Sequence, residues 1–144
     1  MSIMEILREK GHQVVTARPT DSVMSVVREL AGQGIGAVVV ASAWMRPVGI
    51  FSERDLVGAV AEHGAAALNM PIGNFMKSPV VSCRPMDRID DAMARMTAGK
   101  IRHLPVMENG KLLGIVSIGD LVRHRLDEKV LEANVLLDLT RMHA

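Results

Sequence analysis

Val14-Val15-Thr16-Ala17-Arg18-Pro19-Thr20-Asp21-Ser22-Val23 and Val80-Val81-Ser82-Cys83-Arg84-Pro85-Met86-Asp87-Arg88-Ile89 follow one pattern. With Val14 set against Val80, the residues Val14, Val15, Arg18, Pro19 and Asp21 all have identical partners in the second stretch. A second pair follows in the same order: Gly49-Ile50-Phe51-Ser52-Glu53-Arg54-Asp55-Leu56-Val57 and Gly114-Ile115-Val116-Ser117-Ile118-Gly119-Asp120-Leu121-Val122. Two matched blocks in one order mark an internal duplication. The second pair is closer together than the first by a single position. That slip falls in the intervening hairpin, where loops tolerate changes of length.

Periodicity assigns the same elements to both copies. A β-branched run (Val14 to Thr16; Val80 to Ser82) leads through a proline turn to an aspartate, Asp21 or Asp87, expected to cap free N–H groups of a helix. Apolar residues then recur at helical spacing, Val23, Val26, Val27 and Leu30 in one copy and Ile89, Ala92, Met93 and Met96 in the other. Ala37 to Val40 and Leu104 to Met107 read as strands that turn back into Val48 to Phe51 and Leu112 to Val116. Asn109-Gly110 marks a tight hairpin, and Glu53 to Glu62 and Ile118 to Met142 read as helices. The expected fold is mixed α/β (α+β), two tandem βαββα repeats packed through their sheets with N-terminal and long C-terminal helices. The repeats are assigned to residues 1–66 and 67–144, together one module.

Composition removes several classes of function. A net charge of +1 generates no strong field toward nucleic acid or an anionic membrane. Two Phe, one Trp and no Tyr offer no stacking platform for bases. The single cysteine, Cys83, excludes an intramolecular disulfide and reads as a small semi-buried residue. No apolar run approaches the roughly 20 residues of a membrane span, and the first residues lack a signal-peptide core. A cytoplasmic location is expected. His12, His63, His103, His124 and His143 show no metal-ligand spacing. Among the eleven methionines, Met24, Met93 and Met96 sit at core spacing.

No catalytic constellation is present: no nucleophile elbow, Walker loop or dinucleotide fingerprint. Gly32-Gln33-Gly34-Ile35-Gly36 follows a helix and precedes a strand, the order of a helix C-cap and turn rather than a phosphate cradle. What recurs is Ser-x-x-Asp at the strand-to-helix junction, Ser52 to Asp55 and Ser117 to Asp120. Helix capping accounts for that spacing. The same geometry also sets a hydroxyl and a carboxylate beside free N–H groups, which suits a ribose and a phosphate, because an ionised Asp accepts two hydrogen bonds at once. Both readings stand on the residues alone.

The repeats resemble cystathionine-β-synthase (CBS) domains, and the pair resembles a CBS, or Bateman, module. The resemblance runs from about Gly11 to Val122. Its most specific stretches are Ile35-Gly36-Ala37-Val38-Val39-Val40 with Gly49 to Asp55, and Ile101-Arg102-His103-Leu104-Pro105-Val106 with Gly114 to Asp120. It implies two related clefts for adenosine compounds such as AMP, ADP, ATP, NAD or S-adenosylmethionine, each taking its ribose aspartate from one repeat and its adenine-contacting strands from the other. Carried over, Ser117 and Asp120 face Lys10, Val15, Thr16, Ala37 and Val38. Ser52, Arg54 and Asp55 face Val80, Val81, Arg102, His103 and Leu104. The resemblance puts Arg54, Arg102 and His103 on phosphate, although Arg102 and His103 also read as solvated strand-edge residues and Arg54 as a surface helix residue. Gly119 stands where the first repeat has Arg54, so the second cleft is expected to be the more basic.

Ile118 to Met142 runs without a breaker, and Val122, Leu126, Val130, Val135, Leu136 and Leu139 exceed what closing a repeat requires. Because CBS modules dimerise through helices, a homodimer with this tail at or near the interface is expected. The leading function is an adenine-nucleotide sensor signalling to an effector protein through a ligand-dependent change of shape, with no enzymatic activity. The alternative is a structural or protein-interaction module with vestigial clefts. The family also occurs appended to inosine-monophosphate dehydrogenase, an enzyme for which no catalytic residues are found here.

Overall fold

In the computed structural model, which describes residues 1–142, the chain builds two hydrophobic cores, one centred on each repeat. The chain runs α1 (Ile3–Lys10), β1 (Thr16–Ala17), α2 (Val23–Gln33), β2 (Ala37–Ala41), β3 (Pro47–Ser52) and α3 (Glu53–His63). Two 3₁₀ turns, Gly64–Asn69 and Ile72–Asn74, lead to α4 (Ile89–Gly99), β4 (His103–Glu108), β5 (Lys111–Ser117) and α5 (Ile118–Met142). In the first repeat β2 is central, parallel to β1 and antiparallel to β3. In the second, β4 and β5 form an antiparallel hairpin. Its two-residue loop places Asn109 and Gly110 at φ 51° and 77°, the doubly left-handed turn that matches strand twist.

The opening strands are shorter than the β-branched runs suggest. Of Val14 to Thr16 only Thr16 enters the two-residue β1, with Val39 N–H donating to Val15 O at 3.1 Å just before it. Val80 to Ser82 forms no strand, and a single parallel bridge joins Cys83 to Val106. The cause is Pro105. It is the counterpart of Val39 in the register that pairs Val14 with Val80, and having no N–H it cannot make the bond that Val39 makes to Val15. On the other side of the bridge Pro85 removes the next donor. Only Cys83 N–H to Pro105 O (3.0 Å) and Met107 N–H to Cys83 O (2.8 Å) remain.

Asp21 and Asp87 do not cap helices. Their Oδ2 atoms accept from Arg18 N–H (2.9 Å) and Arg84 N–H (2.8 Å), closing the proline turn back on itself. Ser22 caps α2, accepting from Ser25 N–H at 3.1 Å, and Arg88 precedes α4 without a side-chain cap. At the far end of α2, Gly34 is left-handed (φ 64°) and Ile35 N–H bonds Leu30 O at 3.0 Å, a Schellman closure.

The helical stripes build the two cores. Val23, Val26 and Leu30 join Val38, Val40, Phe51 and Ile72, while Ile89, Ala92 and Met96 join Leu104, Val106, Val116 and Leu121. Met93 packs against the second core, and Met24 is partly exposed. Cys83 is buried in the second core. In space the segments preceding the two repeats are exchanged. Ile3, Ile6 and Leu7 of α1 fill the core of the second repeat, and Ile72, Phe75 and Met76, beyond α3, pack with the first. β2 is buried on both faces, Val38 and Val40 toward the first core and Ala37, Val39 and Ala41 on the other. α5 buries Leu121 and is tied down by Arg125 to Asp90 at 2.7 Å, but from Lys129 to Met142 every residue is exposed.

Candidate functional site

The turn from β3 into α3 aims Ser52, Glu53, Arg54 and Asp55 at a cavity of about 250 Å³ between the repeats. That is near the roughly 300 Å³ at which small-molecule sites begin. Ser52 is the N-cap of α3, and Asp55 lies at its third position. Asp55 Oδ2 accepts both Ser52 N–H (2.8 Å) and the Ser52 hydroxyl (3.1 Å). Both hydrogen bonds accepted by the Asp55 carboxylate within the described residues fall on Oδ2, so Oδ1 stays available to a ligand. Capping and ligand binding therefore coexist in this carboxylate.

The second repeat supplies the opposite wall, with Pro79, Val80 and Val81 on one segment and Ile101, Arg102 and His103 entering β4. Alternation along β4 turns His103 to the cavity and Leu104 into the core, where it is fully buried. The Leu104 side chain thus does not line the cleft. Burial lowers the His103 pKa below its ordinary value, and the Lys10 charge lowers it further against the opposing pull of Asp120 and Glu53. At neutral pH His103 therefore enters the cleft as an uncharged ring.

Several lining residues lay outside the sequence reading, two of them lysines, Lys77 and Lys100. Lys77 is held by an antiparallel bridge to β3, Ile50 N–H to Lys77 O at 3.0 Å and Lys77 N–H to Ile50 O at 2.8 Å. The close approach requires Gly49, whose Cβ would lie 2.7 Å from Lys77 O. Lys100 is the left-handed C-cap of α4, with φ 53°. A signal for it existed: in the register that pairs Val14 with Val80, Lys100 is the counterpart of the C-cap glycine Gly34.

The counterpart junction differs. Ser117 N–H donates to Asp120 Oδ2 at 2.8 Å and Asp120 N–H to Ser117 Oγ at 3.1 Å, but Lys10 Nζ also lies 2.6 Å from Asp120 Oδ2. Burial opposes ionisation of Asp120, yet the hydrogen bonds and charge of Lys10 and Ser117 outweigh it and hold the pKa below the usual carboxylate value. The cavity at Asp120 is walled by Ile6, Glu9, Lys10, Arg123, His124 and Asp127. Val15, Thr16, Ala37 and Val38 are not part of it. Val38 points into the first core, and Ala37 is buried.

No group of three or more His, Cys, Asp or Glu side chains is positioned to hold a metal among the described residues; His143 lies outside them. No helix among them is long and apolar enough to cross a membrane.

The fold has close parallels among solved structures. A CBS-domain-containing protein of Agrobacterium tumefaciens superposes with a TM-score of 0.83 at 45% identity, over 86% of this chain and 92% of that one. A CBS domain protein of Pyrobaculum aerophilum, solved in complex with AMP, superposes with a TM-score of 0.73 at 31% identity, over 83% and 89% of the two chains. An uncharacterised protein of Methanopyrus kandleri is 32% identical over 85% of this chain, which spans 62% of that relative's length. The CBS domain family model matches residues 3–62 and 72–127, and the chain belongs to the CBS domain family as a tandem pair.

Proposed function

We propose that the chain is a regulatory module that binds an adenine nucleotide in the cleft between its repeats. The observation that carries this reading is the cavity shared by both repeats, with the Ser52–Asp55 junction on one side and Val80, Val81, Arg102 and His103 on the other. Asp55 Oδ1 accepts ribose hydroxyls, the apolar segment Pro79 to Val81 covers the base, and Arg54 and Arg102 meet phosphate. The AMP complex of the Pyrobaculum relative supports the ligand class. AMP, ADP, ATP and NAD all satisfy these groups. The Asp120 site, with Ser117 and Lys10, is the weaker one, because the Lys10 ion pair competes with a ribose for the carboxylate.

Ligand binding across two repeats shifts their relative placement, and that shift is the signal an effector protein reads. The module acts without catalysis, in the cytoplasm, as a homodimer. Isothermal titration of AMP, ATP and NAD against wild type and Asp55→Ala tests the site. Loss of a ribose carboxylate removes about 1.5–3 kcal/mol, one to two decades of affinity. Unchanged binding in Asp55→Ala overturns the ribose assignment. An absence of thermal shift with any adenine nucleotide returns the chain to the interaction-module alternative, since a ligand at about 100 times its Kd adds about 2.7 kcal/mol.

A further inference from the structure

The cleft is lined by four basic side chains, Arg54, Lys77, Lys100 and Arg102, against two acidic ones, Glu53 and Asp55. Each of the four basic residues has a glycine at the matching position of the other repeat. Gly119 answers Arg54 in the register that pairs Asp55 with Asp120, and Gly11, Gly34 and Gly36 answer Lys77, Lys100 and Arg102 in the register that pairs Val14 with Val80. The backbone confirms two of these correspondences. Glu53 N–H donates to Gly36 O at 3.1 Å as Ile118 N–H donates to Arg102 O at 2.8 Å. Gly34 and Lys100 both close a helix in the left-handed conformation, with Ile35 N–H to Leu30 O and Ile101 N–H to Met96 O each at 3.0 Å. Divergence of the copies has thus placed four cations around the Asp55 cavity at positions where the other copy has glycine.

Lys100 is the most telling member. Its backbone adopts a conformation that disfavours any side chain, and the other repeat meets the same need with glycine. A lysine kept there is explained by what its ammonium does at the cleft. Lys77 sits beside it, its Nζ 3.4 Å from Lys100 O.

We infer, building on the adenine-nucleotide reading above, that this cleft selects a ligand carrying two or more phosphates, with Lys77 and Lys100 as the specificity-determining residues. A terminal phosphate carries about −1.5 to −2 charges at neutral pH, which two cations neutralise. Arg54 and Arg102 suffice for a monophosphate. Lys77 and Lys100 extend the positive wall to the next phosphates, and only the longer anion engages all four.

Titration of adenosine, AMP, ADP, ATP and inorganic triphosphate at fixed ionic strength tests this, on wild type and on the Lys77→Ala/Lys100→Gly double variant. The expected order in wild type is ATP and ADP above AMP above adenosine. In the double variant the ratio of ATP to AMP affinity falls on the order of tenfold, from losing charge-assisted contacts. Lys100→Gly alone keeps its Tm, because glycine suits the left-handed cap, so lost ATP affinity there is not a folding defect. Equal affinity of wild type for AMP and ATP, or an unchanged ratio in the double variant, overturns the inference while leaving adenine-nucleotide binding intact. Binding of inorganic triphosphate without any adenosine compound overturns the adenine reading and leaves the polyphosphate site standing. No binding of any probe overturns both.

Discussion

Asp120 and Asp55 occupy equivalent places in the duplicated sequence, yet of the two it is Asp120 that a cation holds, Lys10 Nζ at 2.6 Å. The folded-state pKa of Asp120 lies below its ordinary value of 3.8. A depressed carboxylate stabilises the fold above its unfolded pKa, and that contribution is lost as the pH falls through the lower folded value. Asp120→Asn is therefore expected to be less stable than wild type at pH 7 by about 1 kcal/mol, with the gap closing below about pH 4. Denaturant titrations at pH 7 and pH 3 check it; a gap that persists undiminished at pH 3 shows that the ion pair is not its source. The Ser-x-x-Asp spacing was legible as a repeated feature, but Lys10 stands 110 positions away along the chain. Sequence spacing carries no information on which of the two carboxylates a distant ammonium reaches.

At the scale of elements, glycine separates two contacts that look alike in sequence. Gly49 and Gly114 match in the duplication, but a Cβ at Gly49 meets the Lys77 carbonyl oxygen at 2.7 Å, whereas one at Gly114 meets the Leu7 Cδ2 at the same distance. A backbone atom fixed by its own hydrogen bonds cannot step aside, whereas a methyl group can turn. Gly49→Ala is expected to cost about 1–3 kcal/mol and to weaken nucleotide binding by moving Lys77 and Pro79, with Gly114→Ala the milder change. Thermal unfolding and titration of both variants check the contrast, and equal losses contradict it. Most element positions were readable: the stripes of α2 and α4, the Asn109-Gly110 turn and the whole run Ile118–Met142. The strand expected at Val80 to Ser82 was not, because its pairing depends on the missing N–H of Pro105. That residue looks harmless in its own strand and matters only to the neighbour it fails to bond.

Across the molecule, a broad unburied apolar surface lies on α5. Leu126, Val130 and Leu137 are exposed and follow one face of the helix, while Leu131, Val135 and Leu139 form a second exposed stripe on the opposite face. A helix arm with such a stripe buries it against a partner, and a second copy of the chain meets the same stripe with its own. Light scattering at micromolar concentration is expected to give a dimer, and Leu126→Asp/Val130→Asp a monomer that still binds nucleotide. A monomeric wild type rules out the homodimer. An unchanged dimer in the variant moves the interface off this helix.

The duplication, the βαββα order, the two helical core stripes and the Ser-x-x-Asp junctions were all written in the chain's own order of residues. Each of these depends on neighbours along the chain, where periodicity and turn chemistry act. Only the folded molecule shows that α1 completes the second core, that Lys10 closes on Asp120, and that Lys77 and Lys100 join Arg54 and Arg102 around one cavity. Those outcomes depend on which surfaces remain uncovered once both repeats have folded. Burial of apolar area has no direction along the chain, so the partner is chosen by shape and reach rather than by sequence order.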